Sequence, residues 1–193
     1  MNQILFYYFK PNERDFYIFL EYFYEEKENK LCLESLRFFK TESAIKEHIQ
    51  QKKSISSGKK NLQNKKLIKQ LVRLLNDYLN GKVKDLYQEV QGLGIDLNLD
   101  DKFSTQFSRK VLQILLTIKP GKVMSYSNVA NRINSKAYRA VGNILRNNDL
   151  PLIIPCHRVI RKNGTLGGFG GETGENWRTN IKQDLIKLEQ KID

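Results

Sequence analysis

Cysteine is nearly absent from this 193-residue chain: Cys32 and Cys156 are its whole supply. Two cysteines cannot build a disulfide scaffold, and nothing points to an oxidising compartment. Histidine is just as scarce, with His48 and His157 alone. Those four residues show no paired-ligand spacing, so no metal and no other cofactor is expected. Long apolar runs are missing too. None approaches the roughly 20 residues that a membrane-spanning helix needs. The apolar start, residues 1–9, has no basic stretch ahead of it and no small-residue cleavage site behind, which argues against a signal peptide. With 40 % hydrophobic and 28 % charged residues, the chain reads as a cytoplasmic globular protein with no membrane partner.

Acidic residues are in short supply where the basic ones gather. The net charge is +12, divided as −2 over residues 1–45, +9 over 46–84, −5 over 85–101 and +10 over 102–193. Blocks of one sign this strong face a polyanion or stay solvated. Nucleic acid is the leading partner, because each phosphate neutralised releases counterions.

Ten of the nineteen Phe and Tyr residues fall between Phe6 and Tyr24. Residues 3–9, 16–24 and 31–39 read as β-strands, with aromatic side chains in a sheet core. Residues 41–51 read as a capped helix, 52–66 as a polar, basic, mobile loop, and 67–80 as an amphipathic helix. The glycine-bearing stretch 91–101 has no basic residue and is taken as a boundary. This gives an α/β domain over 1–100 and a mainly α domain over 101–193.

In the second half, Phe103, Phe107, Val111, Leu112, Leu115 and Ile118 form one helical stripe over 103–118. Residues 126–133 and 136–147 follow as two short helices with Ser125 as a cap. Lys136, Arg139 and Arg146 lie on the second, in the outline of a helix-turn-helix. Beyond it, Pro151 and Pro155 bracket an apolar run that ends in Cys156-His157-Arg158. Imidazole and basic groups beside a cysteine favour the nucleophilic thiolate. A small buried hydrophobe is the equally open alternative for Cys156.

Pro155-Cys156-His157-Arg158-Val159 resembles the signature of the O6-alkylguanine-DNA alkyltransferases. The resemblance continues through Gly121, Val123, Ser125 and Tyr126, then Arg139-Ala140-Val141-Gly142, Asn148 and Pro151. Downstream it takes in Asn163-Gly164, the run 167–171, Leu185, Ile186 and Glu189. It covers about residues 103–189, whereas residues 1–100 agree only in position and general character. The resemblance implies a ribonuclease H-like N-terminal domain and a winged-helix-like C-terminal one. Cys156 would take the alkyl group from O6 of guanine, and from O4 of thymine, in a single irreversible turnover. His157 would be the base, acting through a water, with Glu189 orienting it and Tyr126 stabilising the leaving guanine. The Gly170 N–H would contact O6, the Cys156 and Val159 carbonyls would read the amine, and Pro151 and Phe169 would form walls.

The same resemblance implies double-stranded DNA bound through the minor groove by a monomer, with the damaged base flipped out. Ser125, Tyr126, Lys136, Ala137 and Arg139 would meet the DNA, Arg139 filling the vacated stack. Asn148 would be the hinge tying the helix pair to the active-site strand. Three departures stand out: Phe169 where tyrosine is common, Asp149 where proline is frequent, and an insertion at 172–180. A non-catalytic sensor of flipped O6-alkylguanine is the main competing reading. A sequence-specific regulator and a cysteine hydrolase are more distant ones.

Overall fold

A computed structural model describes residues 4–52, 62–172 and 174–191. The chain divides into two compact units, Met1–Asn98 and Leu99–Asp193. None of its described helices is long and apolar enough to cross a membrane.

The first unit is built on an antiparallel meander, β1 (Leu5–Phe9), β2 (Tyr17–Glu25) and β3 (Lys30–Phe39), in that spatial order. β2 is central, and its successive residues Ile18, Phe19, Leu20 and Glu21 are all buried. A strand covered on both faces must be apolar throughout, and Glu21 alone breaks that rule. The aromatic residues serve as core: Phe6 stacks on Phe19 at 5.6 Å, and Phe16 meets Phe38 edge-on at 5.5 Å. Helix α1 (Glu42–Gln51) starts where the Thr41 hydroxyl accepts the Ala44 N–H, a side-chain N-cap. Helix α2 (Leu62–Leu79) packs Ile68, Leu71, Leu75 and Tyr78 inward. The central part of the expected mobile loop, residues 53–61, lies outside the described residues.

The stretch expected to be a boundary is partly sheet and helix. Helix α3 (Leu86–Gly92) enters it, and Asp96 then pairs in parallel with Cys32 on the edge of β3. The Leu33 N–H donates to the Asp96 carbonyl at 2.7 Å and the Asp96 N–H to the Leu31 carbonyl at 2.8 Å. Ile95 and Leu97 are consequently buried.

In the second unit, a short helix α4 (Leu99–Lys102) precedes α5 (Gln106–Thr117). The apolar stripe from Phe103 to Ile118 therefore spans a helix break. Thr105 and Ser108 form a reciprocal capping box that starts α5 three residues after Phe103, which competes successfully with the apolar period. Two-residue strands β4 (Met124–Ser125) and β5 (Val159–Ile160) pair in parallel. Between them run α6 (Tyr126–Arg132) and α7 (Tyr138–Arg146), and α8 (Trp177–Lys191) closes the chain.

Candidate active site

Cys156 opens a single 3₁₀ turn, Cys156–Arg158, between Pro155 and β5. Its approach is strained: Leu152 sits at φ +72°, a left-handed conformation costly for a branched side chain. The Ile154 N–H reaches back to the Leu150 carbonyl at 2.8 Å, and the Cys156 N–H to the Ile154 carbonyl at 2.7 Å. The Asn148 amide donates to both the Ile154 carbonyl and the Cys156 sulfur, each at 3.1 Å, while its oxygen accepts the Leu150 N–H at 3.0 Å. Asn148, at the end of α7, thus ties the helix pair to the cysteine.

Behind the cysteine lies a buried ion cluster. His157 Nε2 stands 3.1 Å from Glu189 Oε1. The Arg158 guanidinium donates to both oxygens of Glu189, at 2.7 to 3.1 Å, and to the Ile118 carbonyl at 2.7 Å. The Gly121 N–H reaches Glu189 Oε2 at 3.2 Å. Gly121 sits at φ +75°, and a Cβ there would lie 3.1 Å from the Glu189 carbonyl oxygen, so glycine alone allows the approach. Burial works to raise the Glu189 carboxyl, but His157 and Arg158 hold it well below the usual carboxylate range. Burial holds the His157 imidazole below its ordinary value against the pull of Glu189. A neutral imidazole can accept a proton. Burial also pushes the Cys156 thiol up, opposed by the Asn148 bond and the Lys182 charge.

Lys182 is the residue that the sequence reading missed. It is fully buried and donates to the Val159 carbonyl at 2.6 Å and the Gly168 carbonyl at 3.2 Å. Its ammonium lies 5.9 Å from the centre of the Tyr126 ring, and burial brings it down to about 8. Lys182, Leu185 and Glu189 fall at i, i+3 and i+7, one face of α8. That register was the available signal.

Cys156, Tyr126, Phe169 and Gly170 share one cavity of about 750 Å³, together with Tyr138 and Arg146 from α7. Tyr126 is pushed up, first by burial and then by Cys156. The far wall is the turn Phe169-Gly170-Gly171-Glu172, whose ends exchange backbone hydrogen bonds at 2.9 and 3.1 Å. Gly170 and Gly171 have φ of +57° and +85°, the pair of left-handed residues that a type I′ turn requires. Arg178 braces this turn, donating to the Gly170 carbonyl at 2.6 Å and lying 3.3 Å from Glu172.

Other expected residues fall elsewhere. Pro151 and Val159 are buried outside the cavity lining. Ser125 caps α6, its hydroxyl accepting the Asn128 N–H at 3.1 Å. Lys136, Ala137 and Arg139 are exposed at the start of α7, next to the cavity-lining Tyr138. The last four residues of the expected insertion are the first turn of α8, and Thr173 within it lies outside the described residues. Trp177 carries the Arg178 guanidinium 5.2 Å over its ring. Among the described residues no group of three or more His, Cys, Asp or Glu gathers as a metal would require.

A buried cysteine lining a cavity, followed by a His–Glu pair and flanked by a helix pair, is an arrangement that a cysteine nucleophile could use. Comparisons with known proteins place it. Residues 106–191 match the family described as 6-O-methylguanine DNA methyltransferase, DNA binding domain. The chain is 34 % identical over 130 residues to a methylated-DNA–protein-cysteine methyltransferase of Methanosarcina mazei, covering 67 % of this chain and 72 % of that one. A Kluyveromyces lactis protein of the same name is 37 % identical over 113 residues, 56 % of each chain. The chain thus spans little more than half the length of that yeast relative. The crystal structure of Mycobacterium tuberculosis O6-methylguanine methyltransferase superposes with a TM-score of 0.63 at 25 % identity, over 100 % of this chain and 95 % of that one. This chain belongs to the methylated-DNA–protein-cysteine methyltransferase family.

Proposed function

We propose that the protein repairs DNA by moving the alkyl group from O6 of guanine to its own Cys156, once per molecule. The observation that carries this reading is Cys156 at the edge of the cavity, bonded to Asn148 and followed by the His157–Glu189 pair. The thiol proton passes through a water to neutral His157, whose imidazolium Glu189 stabilises. The thiolate then attacks the alkyl carbon: the S–C bond forms and the C–O6 bond breaks, its electron pair leaving with guanine. Tyr126 hydrogen-bonds to the base as that charge develops, and the proton that His157 took up returns to the guanine anion, which restores ordinary guanine. The Gly170 N–H meets O6, and Phe169 provides an apolar wall. The thioether has no leaving step, so the protein is consumed. No cofactor enters any of these steps.

On the same reading, the lesion-bearing duplex lies against α6 and α7 through its minor groove, and the target base turns into the cavity. Ser125, Lys136 and Ala137 contact the backbone, and Arg139 fills the gap in the stack. The protein acts as a monomer in the cytoplasm, on O6-alkylguanine and on O4-alkylthymine. The first unit is ribonuclease H-like and the second winged-helix-like, dividing near residue 100. The deciding experiment is a single-turnover assay on duplex DNA carrying O6-methylguanine, read by peptide mass spectrometry. One methyl on the Cys156 peptide, restored guanine and no reaction by Cys156→Ala are expected. Tight lesion binding with no mass change would make the protein a damage sensor instead.

A further inference from the structure

Helix α2 carries two faces of opposite character. Ile68, Leu71, Leu75 and Tyr78 are buried, whereas Lys65, Lys66, Lys69 and Arg73 are all exposed. No acidic residue occurs between residues 62 and 76. Asp77, the first, pairs with Lys82 at 3.7 Å. Among the described residues, none of the four cations has an ion-pair or hydrogen-bond partner. Like charges four residues apart on a helix repel, so this face holds an arrangement that a polyanion would relieve.

The spacing identifies the polyanion. Lys65, Lys69 and Arg73 are each four residues apart, about 6 Å per step and about 12 Å in all at the helical rise. Phosphates along one DNA strand advance about 3.4 Å each, so the row spans about three to four of them. The three cations form a single row along the helix, an arrangement that suits contact with a phosphate backbone, which carries no sequence information. A membrane surface fits poorly. A helix lying on lipid needs its apolar face free to insert, and here Ile68, Leu71 and Leu75 are 2 %, 0 % and 0 % exposed.

The geometry points to the solvent face of α2 as a second phosphodiester-binding surface, separate from the helix pair that flanks Cys156. It holds nucleic-acid backbone outside the lesion and acts on any sequence. This rests on the reading that the protein works on DNA. The test is the fourfold variant K65Q/K66Q/K69Q/R73Q, checked for unchanged far-ultraviolet circular dichroism. Affinity for undamaged duplex is measured between about 50 and 200 mM salt. Each lost phosphate contact removes about 0.9 from the slope of log affinity against log salt. The expected fall is therefore about 3, with a loss of affinity of at least tenfold at the low-salt end.

A slope within 0.5 of the wild type, a threshold chosen as about half of one such contact, overturns the proposal. So does equal loss of binding to anionic vesicles with DNA binding intact, which would make the face a lipid surface. Transfer from O6-methylguanine in duplex DNA to Cys156, measured at a DNA concentration that saturates both proteins, runs in parallel. If the slope falls while neither protein alkylates Cys156, the surface stands and the repair reading fails. If both proteins alkylate Cys156 and the slope is unchanged, the reverse holds.

Discussion

Each unit of this protein buries a glutamate beside a histidine and a basic residue, yet only one of the two clusters is equipped for chemistry. Glu21, 1 % exposed on β2, accepts from the Ser35 hydroxyl at 2.6 Å and from Lys52, with His48 3.7 Å away. Glu189, 2 % exposed on α8, is held by Arg158, His157 and the Gly121 N–H. Burial pushes both carboxyls up, and the bonds they accept bring both below their ordinary value of 4.5. The surroundings differ. Lys52 and His48 lie toward the surface, at 37 % and 21 % exposure, and the hydroxyl in this cluster, Ser35, is buried with its proton committed to the Glu21 carboxylate. His157 and Arg158, which hold Glu189, are both buried, and His157 follows Cys156 directly in the chain. A buried Glu–His pair stands apart from any cavity-lining thiol in one unit and follows one in the other, and on the proposed function that neighbouring thiol and cavity make the second pair part of a reactive site.

The sharpest way to break this comparison is to neutralise both carboxylates. Glu189→Gln leaves Arg158 buried with no full counter-charge, which should cost about 3–5 kcal/mol and abolish transfer to Cys156. Glu21→Gln should cost about half as much, because Lys52 can turn to water. Urea unfolding of the two variants measures the difference, and equal losses would erase the distinction. Both carboxyls titrate lower in the folded than in the unfolded chain. Their contribution is therefore complete above about pH 4.5 and is lost as pH falls through the folded values. The gap between Glu189→Gln and the wild type should close in that acid window.

Next in size is Lys182→Met. The lysine opposes the rise of the Cys156 thiol, so its removal should move the pH profile of Cys156 alkylation upward. For every step of about one in pH that the profile moves, the rate at neutral pH falls about tenfold. Stability should change in the opposite sense. Lys182 titrates at about 8 when folded against an ordinary 10.5, so the unfolded chain binds more protons between those values. The wild type gains stability relative to the variant as pH rises through that window. An unmoved alkylation profile would reduce Lys182 to a clip between the Val159 and Gly168 carbonyls.

The ease of reading differed along the chain for physical reasons. The three strands were legible within two residues, because β-branched and aromatic runs have few alternative uses. The helix pair was legible because Ser125 caps α6 and Asn134, at φ +55°, ends it. Asp96 on the sheet edge was not, since glycines and acids describe a linker equally well. Phe103 continued an apolar period that the Thr105 cap interrupts. Lys182 was hidden by its own chemistry: a lysine on a helix is solvated unless carbonyls converge on it, and those carbonyls come from residues 159 and 168. Cys156, His157 and Asn148 stood out through their motif, whereas the brace on the opposite wall could not, because Arg178 meets Gly170 only through a fold-dependent turn.

That brace supplies the finest prediction. Arg178 spans the Gly170 carbonyl, Glu172 and the Trp177 ring, while a Cβ on Gly170 would lie 3.3 Å from its guanidinium. Arg178 and Glu172 are 29 % and 44 % exposed, so the pair itself adds at most about 1 kcal/mol. Arg178→Ala should therefore barely change unfolding by urea. It should change selectivity, because a freed Gly-Gly turn lets the wall beside Phe169 give way to a bulky group. The expected result is a severalfold rise in the rate for O6-benzylguanine relative to O6-methylguanine in duplex DNA, followed by mass spectrometry. Arg178→Lys should behave like the alanine variant, since one ammonium cannot reach the carbonyl, the carboxylate and the indole face together. A rate ratio unchanged in both variants would mean that the type I′ turn holds its shape through Gly170 and Gly171 alone.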